Sequence, residues 1–178
     1  MRVRKIYNNR GFKVIRYHGD NEFDIEALKT KVGEQALEIC SREEHVHKIE
    51  RDICTIKERC RSIYHSVPYR YYTKLMTSSL MEVAVQWLNA FPSDQGVSRT
   101  LSPANIVAGK TSPDLGIKRI HFGGYAMVYF TTRNNMESRC IPAIALNESN
   151  NNGGFYFMSL NTGKKLHCRK WEQLPMNE

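Results

Sequence analysis

The sequence predicts an α/β fold followed by a small β-rich module, and three observations predict it. Over residues 12–90, runs rich in β-branched and aromatic residues alternate with helical patterns. A polar stretch with three prolines and three glycines, 91–116, then interrupts the pattern. Beyond it the chain consists of short aromatic, strand-like runs punctuated by glycine.

In chain order, "MRVRKIYNNRGFKVIRYHGDNEF" runs directly into a strand-like segment without a cap or leader. "FKVIRYH" (12–18), bounded by Gly11 and Gly19, reads as a strand. It delivers Asp20 at its C-terminal end, where α/β folds place ligand-binding groups. "DIEALKTKVGEQ" (24–35) predicts a short helix ending near Gly33, and "ALEICS" (36–41) a second strand. A helix over about 45–66 follows from Ile49, Ile53, Ile56, Cys60 and Ile63, which recur at helical steps and form one apolar stripe. Pro68 breaks it. Tyr72, Leu75, Met76, Leu80, Val83, Trp87 and Leu88 then predict a core helix over about 70–90.

The segment after it reads as a connection with one short helix, started by Ser102-Pro103. "KRIHFGGYAMVYFTT" and "CIPAIALN" read as strands, and "GGFYFMSLNTGKKLHCRKWEQLP" as a hairpin turning at Asn161-Thr162-Gly163. "NESNNNGG" (147–154) is a loop. The expected organisation is therefore a core over 1–92, a linker over 93–117 and a small β-rich, barrel-like module over 118–178.

With 178 residues and 41% hydrophobic content, the chain has enough apolar surface for a real core. A net charge of +8 and a pI near 9.3 favour a polyanionic partner, nucleic acid ahead of membrane. The longest apolar run falls far short of the roughly 20 residues a membrane helix needs. The five cysteines, at 40, 54, 60, 140 and 168, form no C-x-x-C pair and no Cys/His zinc quartet. The odd count and the absence of a signal peptide predict reduced thiols and an intracellular location, nucleus or cytoplasm, and the short apolar runs predict no membrane partner.

Two carboxylates stand out. Asp20 at a strand end and Glu50 on a helix suit a divalent metal that keeps waters and binds one or two carboxylates plus substrate phosphates. A pair of such ions would need a further bridging ligand. The alternative is ordinary surface charge. Residues 48–74 hold seven Lys/Arg against three acids, interleaved with Tyr64, Tyr69, Tyr71 and Tyr72. Such a face fits sequence-blind phosphate contact, and it equally fits a solvated helix with ion pairs. His45 and His47 lack partners at zinc spacing, and Asn21, Glu22 and Asp24 also fit turn chemistry. No P-loop, dinucleotide-binding or serine-hydrolase motif is present.

Four stretches resemble one family, the integrases of copia-type retrotransposons. "IERDICTIKER" (49–59) looks like their helix bearing a catalytic Glu, and "HGDNEF" (18–23) like the strand end bearing their second catalytic Asp. "WLNAFPSDQGVSRTLSPANIVAGKTSP" (87–113) is similar to the segment after the core, and "GGFYFMSLNTGKKLHCRKWEQLP" (153–175) to the closing hairpin. The resemblance implies an RNase H-like core that holds two Asp and one Glu around Mg2+ or Mn2+. That core joins element DNA to target DNA by metal-dependent transesterification. Asp20 would be the second Asp and Glu50 the final Glu, both catalytic and both metal ligands. Lys57 falls where the family places a DNA-contacting cation, and Lys48, Arg51, Arg59 and Arg61 would join it on DNA. The family also implies multimers, here a homo-oligomer with full-length integrase.

This sequence departs from the family in several ways: the His/Cys zinc-binding region is missing, the interval from Asp20 to Glu50 is somewhat shorter than in retroviral relatives, and Glu-Phe follows Asp-Asn in place of Gly-Gly-Glu. Nineteen residues precede Asp20 and contain no acid, so the family's first Asp has no counterpart. The expectation is an integrase fragment with an incomplete RNase H-like core, inactive alone and weakly folded. The alternative expectation is a non-catalytic nucleic-acid-binding module derived from an integrase.

Overall fold

The computed structural model describes residues 2–19, 24–33, 36–39, 47–94, 96–109, 120–131, 136–149 and 153–175. They form a mixed helix-and-strand chain in two compact units: 1–55 with 92–112, and 56–91 with 113–178.

The first unit contains α1 (Arg2–Asn8), β1 (Tyr17–Gly19), α2 (Glu26–Val32), β2 (Leu37–Ile39), the start of α3 (His47–Ser66) and α5 (Pro103–Ala108). β1 and β2 pair in parallel, Tyr17 opposite Leu37 and Gly19 opposite Ile39, with α2 as the crossover. A parallel pair needs such a connection, because a tight turn can only reverse the chain. α2 stops at Gly33, whose φ of 92° suits glycine and whose N–H donates to the Lys29 carbonyl at 2.8 Å. Glu38 takes Arg16 at 3.4 Å and His18 at 3.0 Å across the pair. β1 is shorter than the expected 12–18 strand, since its ladder with β2 is three residues long. The helix α1, in turn, stands where only a strand-like opening was expected.

α5 begins as its sequence predicts. The Ser102 hydroxyl accepts the Asn105 N–H while the Asn105 side chain accepts the Ser102 N–H, and Pro103 takes the first turn. Among the described residues, every fully buried hydrophobic side chain belongs to the second unit. In the first unit Ile6, Phe12, Ile15, Ile25, Ile49 and Ile53 are exposed.

The second unit holds the rest of α3, α4 (Lys74–Ala90) and five strands: β3 (Tyr125–Tyr129), β4 (Cys140–Glu148), β5 (Phe155–Ser159), β6 (Lys165–Cys168) and β7 (Trp171–Gln173). They form an antiparallel sheet in the order β6-β5-β4-β3-β7. β6 and β7 have no ladder with each other among the described residues, so the expected barrel-like module is an open sheet. Only Arg169 and Lys170 separate them, which holds Cys168 and Trp171 within about 11 Å. The sheet must therefore curl.

Strand alternation sorts the core into two sides. Ile144, Leu146 and Met158 join Met76, Leu80, Val83, Phe122 and Val67 in one cluster, beneath α4. Ala143, Ala145, Phe155 and Phe157 face the other way, with Val128, Cys168 and Trp171. α4 starts at Lys74 rather than near 70, because the Thr73 hydroxyl caps it by accepting the Met76 N–H at 3.2 Å. The compact units divide the chain differently from the expected boundaries, since α4 packs on β4. No helix among the described residues is long and apolar enough to cross a membrane.

Candidate nucleic-acid interface

α3 is a continuous helix of 20 residues, so 3.6-residue periodicity fixes where its charges sit. Relative to Glu50, the Cα directions of Lys57, Arg61 and Tyr64 fall within about 40°, giving one stripe along the helix. Arg51 lies about 100° around the axis and Arg59 about 180°. The five cations taken together in the sequence therefore do not share a face. Arg51, Lys57, Arg59 and Arg61 are all exposed; Lys48 lies in α3, with its side chain outside the described residues.

The apolar stripe predicted for α3 behaves differently along its length. Cys60 and Ile63 pack against the α4 cluster, while Ile49 and Ile53 each remain 44% exposed. Glu50 is exposed in the first turn, where a carboxylate also complements the positive end of the helix dipole. Its predicted partner Asp20 directly follows the last residue of β1 in the chain and lies outside the described residues. Among the described residues no group of three or more His, Cys, Asp or Glu side chains could hold a metal ion. The donor set assigned by sequence thus consists of two hard carboxylates, one of them described. That suits Mg2+ or Mn2+ binding with retained water and falls short of a two-ion centre.

At the end of α3 the tyrosines become ordered. Tyr64 stacks on Tyr72 at 4.5 Å between ring centroids, and Tyr72 on Phe122 at 6.2 Å. The Tyr72 hydroxyl donates to the Tyr64 carbonyl at 3.2 Å, and the Tyr64 hydroxyl to the Arg70 carbonyl at 3.3 Å. Tyr69 reaches the sheet, donating to the Gly123 carbonyl at 2.7 Å. Burial raises the phenols of Tyr69 and Tyr72 above their ordinary values, so both stay neutral donors. The sequence marks these residues as aromatic interleaving among cations. It does not reveal which are pinned and which is left outside.

The second unit also has a half-open cavity of about 220 Å³, walled by Ile63, Val83, Trp87, Phe122, Leu146 and Phe155. None of the residues proposed from sequence lines it. In comparisons with known proteins, no family model matches the chain, and no curated protein matches it significantly.

Proposed function

We propose that this chain is a DNA-binding protein of copia-type integrase descent, with an RNase H-like first part. The observation that carries the proposal is the order β1–α2–β2–α3, with β1 and β2 parallel and Glu50 in the first turn of α3. That order puts Glu50 at the start of a helix in an α/β unit, and Asp20, outside the described residues, follows β1 in the chain. Asp20 and Glu50 would hold one Mg2+ or Mn2+, which when bound supplies positive charge to a phosphoryl oxygen. Lys57 and Arg61, on the Glu50 side of α3, would hold the DNA backbone. Both are exposed cations on one helix, and contacts of this kind position DNA without reading its sequence.

A non-catalytic nucleic-acid-binding module is the second reading. It is favoured by the exposure of the α3 cations, which needs no metal. Mn2+ titration followed by electron paramagnetic resonance separates the two. The wild-type chain should bind Mn2+ at millimolar concentration, and an Asp20→Asn, Glu50→Gln variant should not, while both keep their affinity for duplex DNA. Wild-type protein that binds DNA and no Mn2+ would leave only the second reading. Wild-type protein that binds no DNA would refute both.

A further inference from the structure

We infer that Tyr71 is a stacking platform for an unpaired DNA base, so that the surface joining α3 to α4 takes single-stranded ends and overhangs. The inference rests on the DNA-binding reading above and names its substrate class. Tyr71 is 90% exposed, an unusual setting for a large aromatic ring in an ordered connection. The backbone on both sides of it is tied down. Before it, Val67 is buried, Tyr69 is bonded to Gly123, and the Arg70 carbonyl holds the Tyr64 hydroxyl. After it, Tyr72 is stacked on Tyr64, and Thr73 caps α4 while its hydroxyl lies 3.4 Å from the Met158 sulfur. The ring is thus presented from a fixed frame.

Charge selects the occupant. Residues 56–74 carry Lys57, Arg59, Arg61, Arg70 and Lys74 against one acid, Glu58. Arg70 flanks Tyr71 directly, and Lys57 and Arg61 lie on the Tyr64 side of α3. Apolar protein interfaces have cores depleted of charge, whereas this bare ring follows Arg70 and precedes Lys74 by three residues in a basic stretch of the chain. An aromatic ring beside phosphate-binding cations is the arrangement that holds single-stranded nucleic acid. Bases within an uninterrupted duplex have both faces covered by neighbours, so the ring needs an unpaired base.

The test uses the full chain and fluorescence anisotropy with three labelled probes: oligo(dT), a blunt duplex, and the same duplex with a 3′ overhang. Tyr71→Ala should weaken oligo(dT) and overhang binding by about 5- to 150-fold, the range for loss of one base–aromatic stack. Blunt-duplex affinity should stay within about twofold, and Tyr71→Phe and Tyr71→Trp should restore binding of the unpaired probes. Equal affinities of wild type and Tyr71→Ala for oligo(dT) would overturn the inference and leave duplex binding intact. So would an equal loss on the blunt duplex, or a loss that Tyr71→Phe shares. Wild-type protein that binds none of the three would overturn both this inference and the reading beneath it.

Discussion

Replacing Gly123 with alanine tests how the tyrosine-bearing connection is fastened to the sheet. Gly123 has a φ of 82°, lies under Val67 and Tyr69, and gives its carbonyl to the Tyr69 hydroxyl. Its N–H donates to the Ala145 carbonyl at 2.9 Å, so the backbone cannot easily turn away. A left-handed backbone costs an L-residue about 1–2 kcal/mol. The added Cβ would sit 2.7 Å from Val67 Cγ1, closer than carbon atoms tolerate, and a tight 3.3 Å from Tyr69 Cε2. Relieving such overpacking costs about 1–3 kcal/mol, giving about 2–5 kcal/mol in all. Gly163→Ala supplies the control, because its φ is 66° and nothing lies within 4 Å of the added atom. It should lose only the backbone contribution, about 1–2 kcal/mol. Urea unfolding followed by tryptophan fluorescence reads both variants, with Trp171 packed on Phe155 and Phe157 as a reporter. Gly123→Ala should lower the midpoint by about 1–2 M at unchanged slope. A loss equal to that of Gly163→Ala would refute the close contact, and a loss under about 0.5 kcal/mol would refute the whole account.

Three further outcomes can be checked. Glu82 accepts the buried Asn147 amide at 2.8 Å and lies 3.7 Å from Lys165 Nζ, so Glu82→Ala should cost about 1–3 kcal/mol in urea unfolding, with Glu82→Gln costing less. Burial pushes the Cys168 thiol up to about 11. Because the folded state holds that proton longer, this group's contribution, of order 2 kcal/mol, is complete below pH 9 and lost as pH rises through 11; Cys168→Ala should flatten that decline in a pH series of unfolding midpoints. Finally, Lys57→Ala and Arg61→Ala should each reduce the slope of log affinity against log salt on duplex DNA by about 0.9, measured by anisotropy across a salt series. An unchanged slope would remove that residue from the phosphate contacts.

Features written in adjacent residues were legible without coordinates. The apolar spacing of Ile49 to Ile63 gave α3, Ser102-Pro103 started α5, and Asn161-Thr162-Gly163 turned β5 into β6, because periodicity, caps and turns are local. The boundaries of α4 and β1 shifted for non-local or competing reasons: a threonine cap took the first turn of one, and a three-residue partner limited the other. For the candidate site, the residue types were legible and their grouping was not. Five cations close in sequence read as one surface, but helical rotation puts Arg51 and Arg59 away from Lys57 and Arg61.

By itself the sequence determined a basic α/β chain with a β-rich end, the helix that bears Glu50, and the mixture of tyrosines and cations that follows it. Only the tertiary structure decided that β7 joins β3 instead of its chain neighbour β6, that α4 covers β4, and that Tyr69 and Tyr72 are fastened while Tyr71 is left in solvent. The reason is physical. Local patterns fix φ and ψ one turn at a time, whereas strand partners and the choice of buried ring follow from competition for apolar surface and hydrogen bonds among residues distant in the chain, such as Tyr69 and Gly123, 54 positions apart.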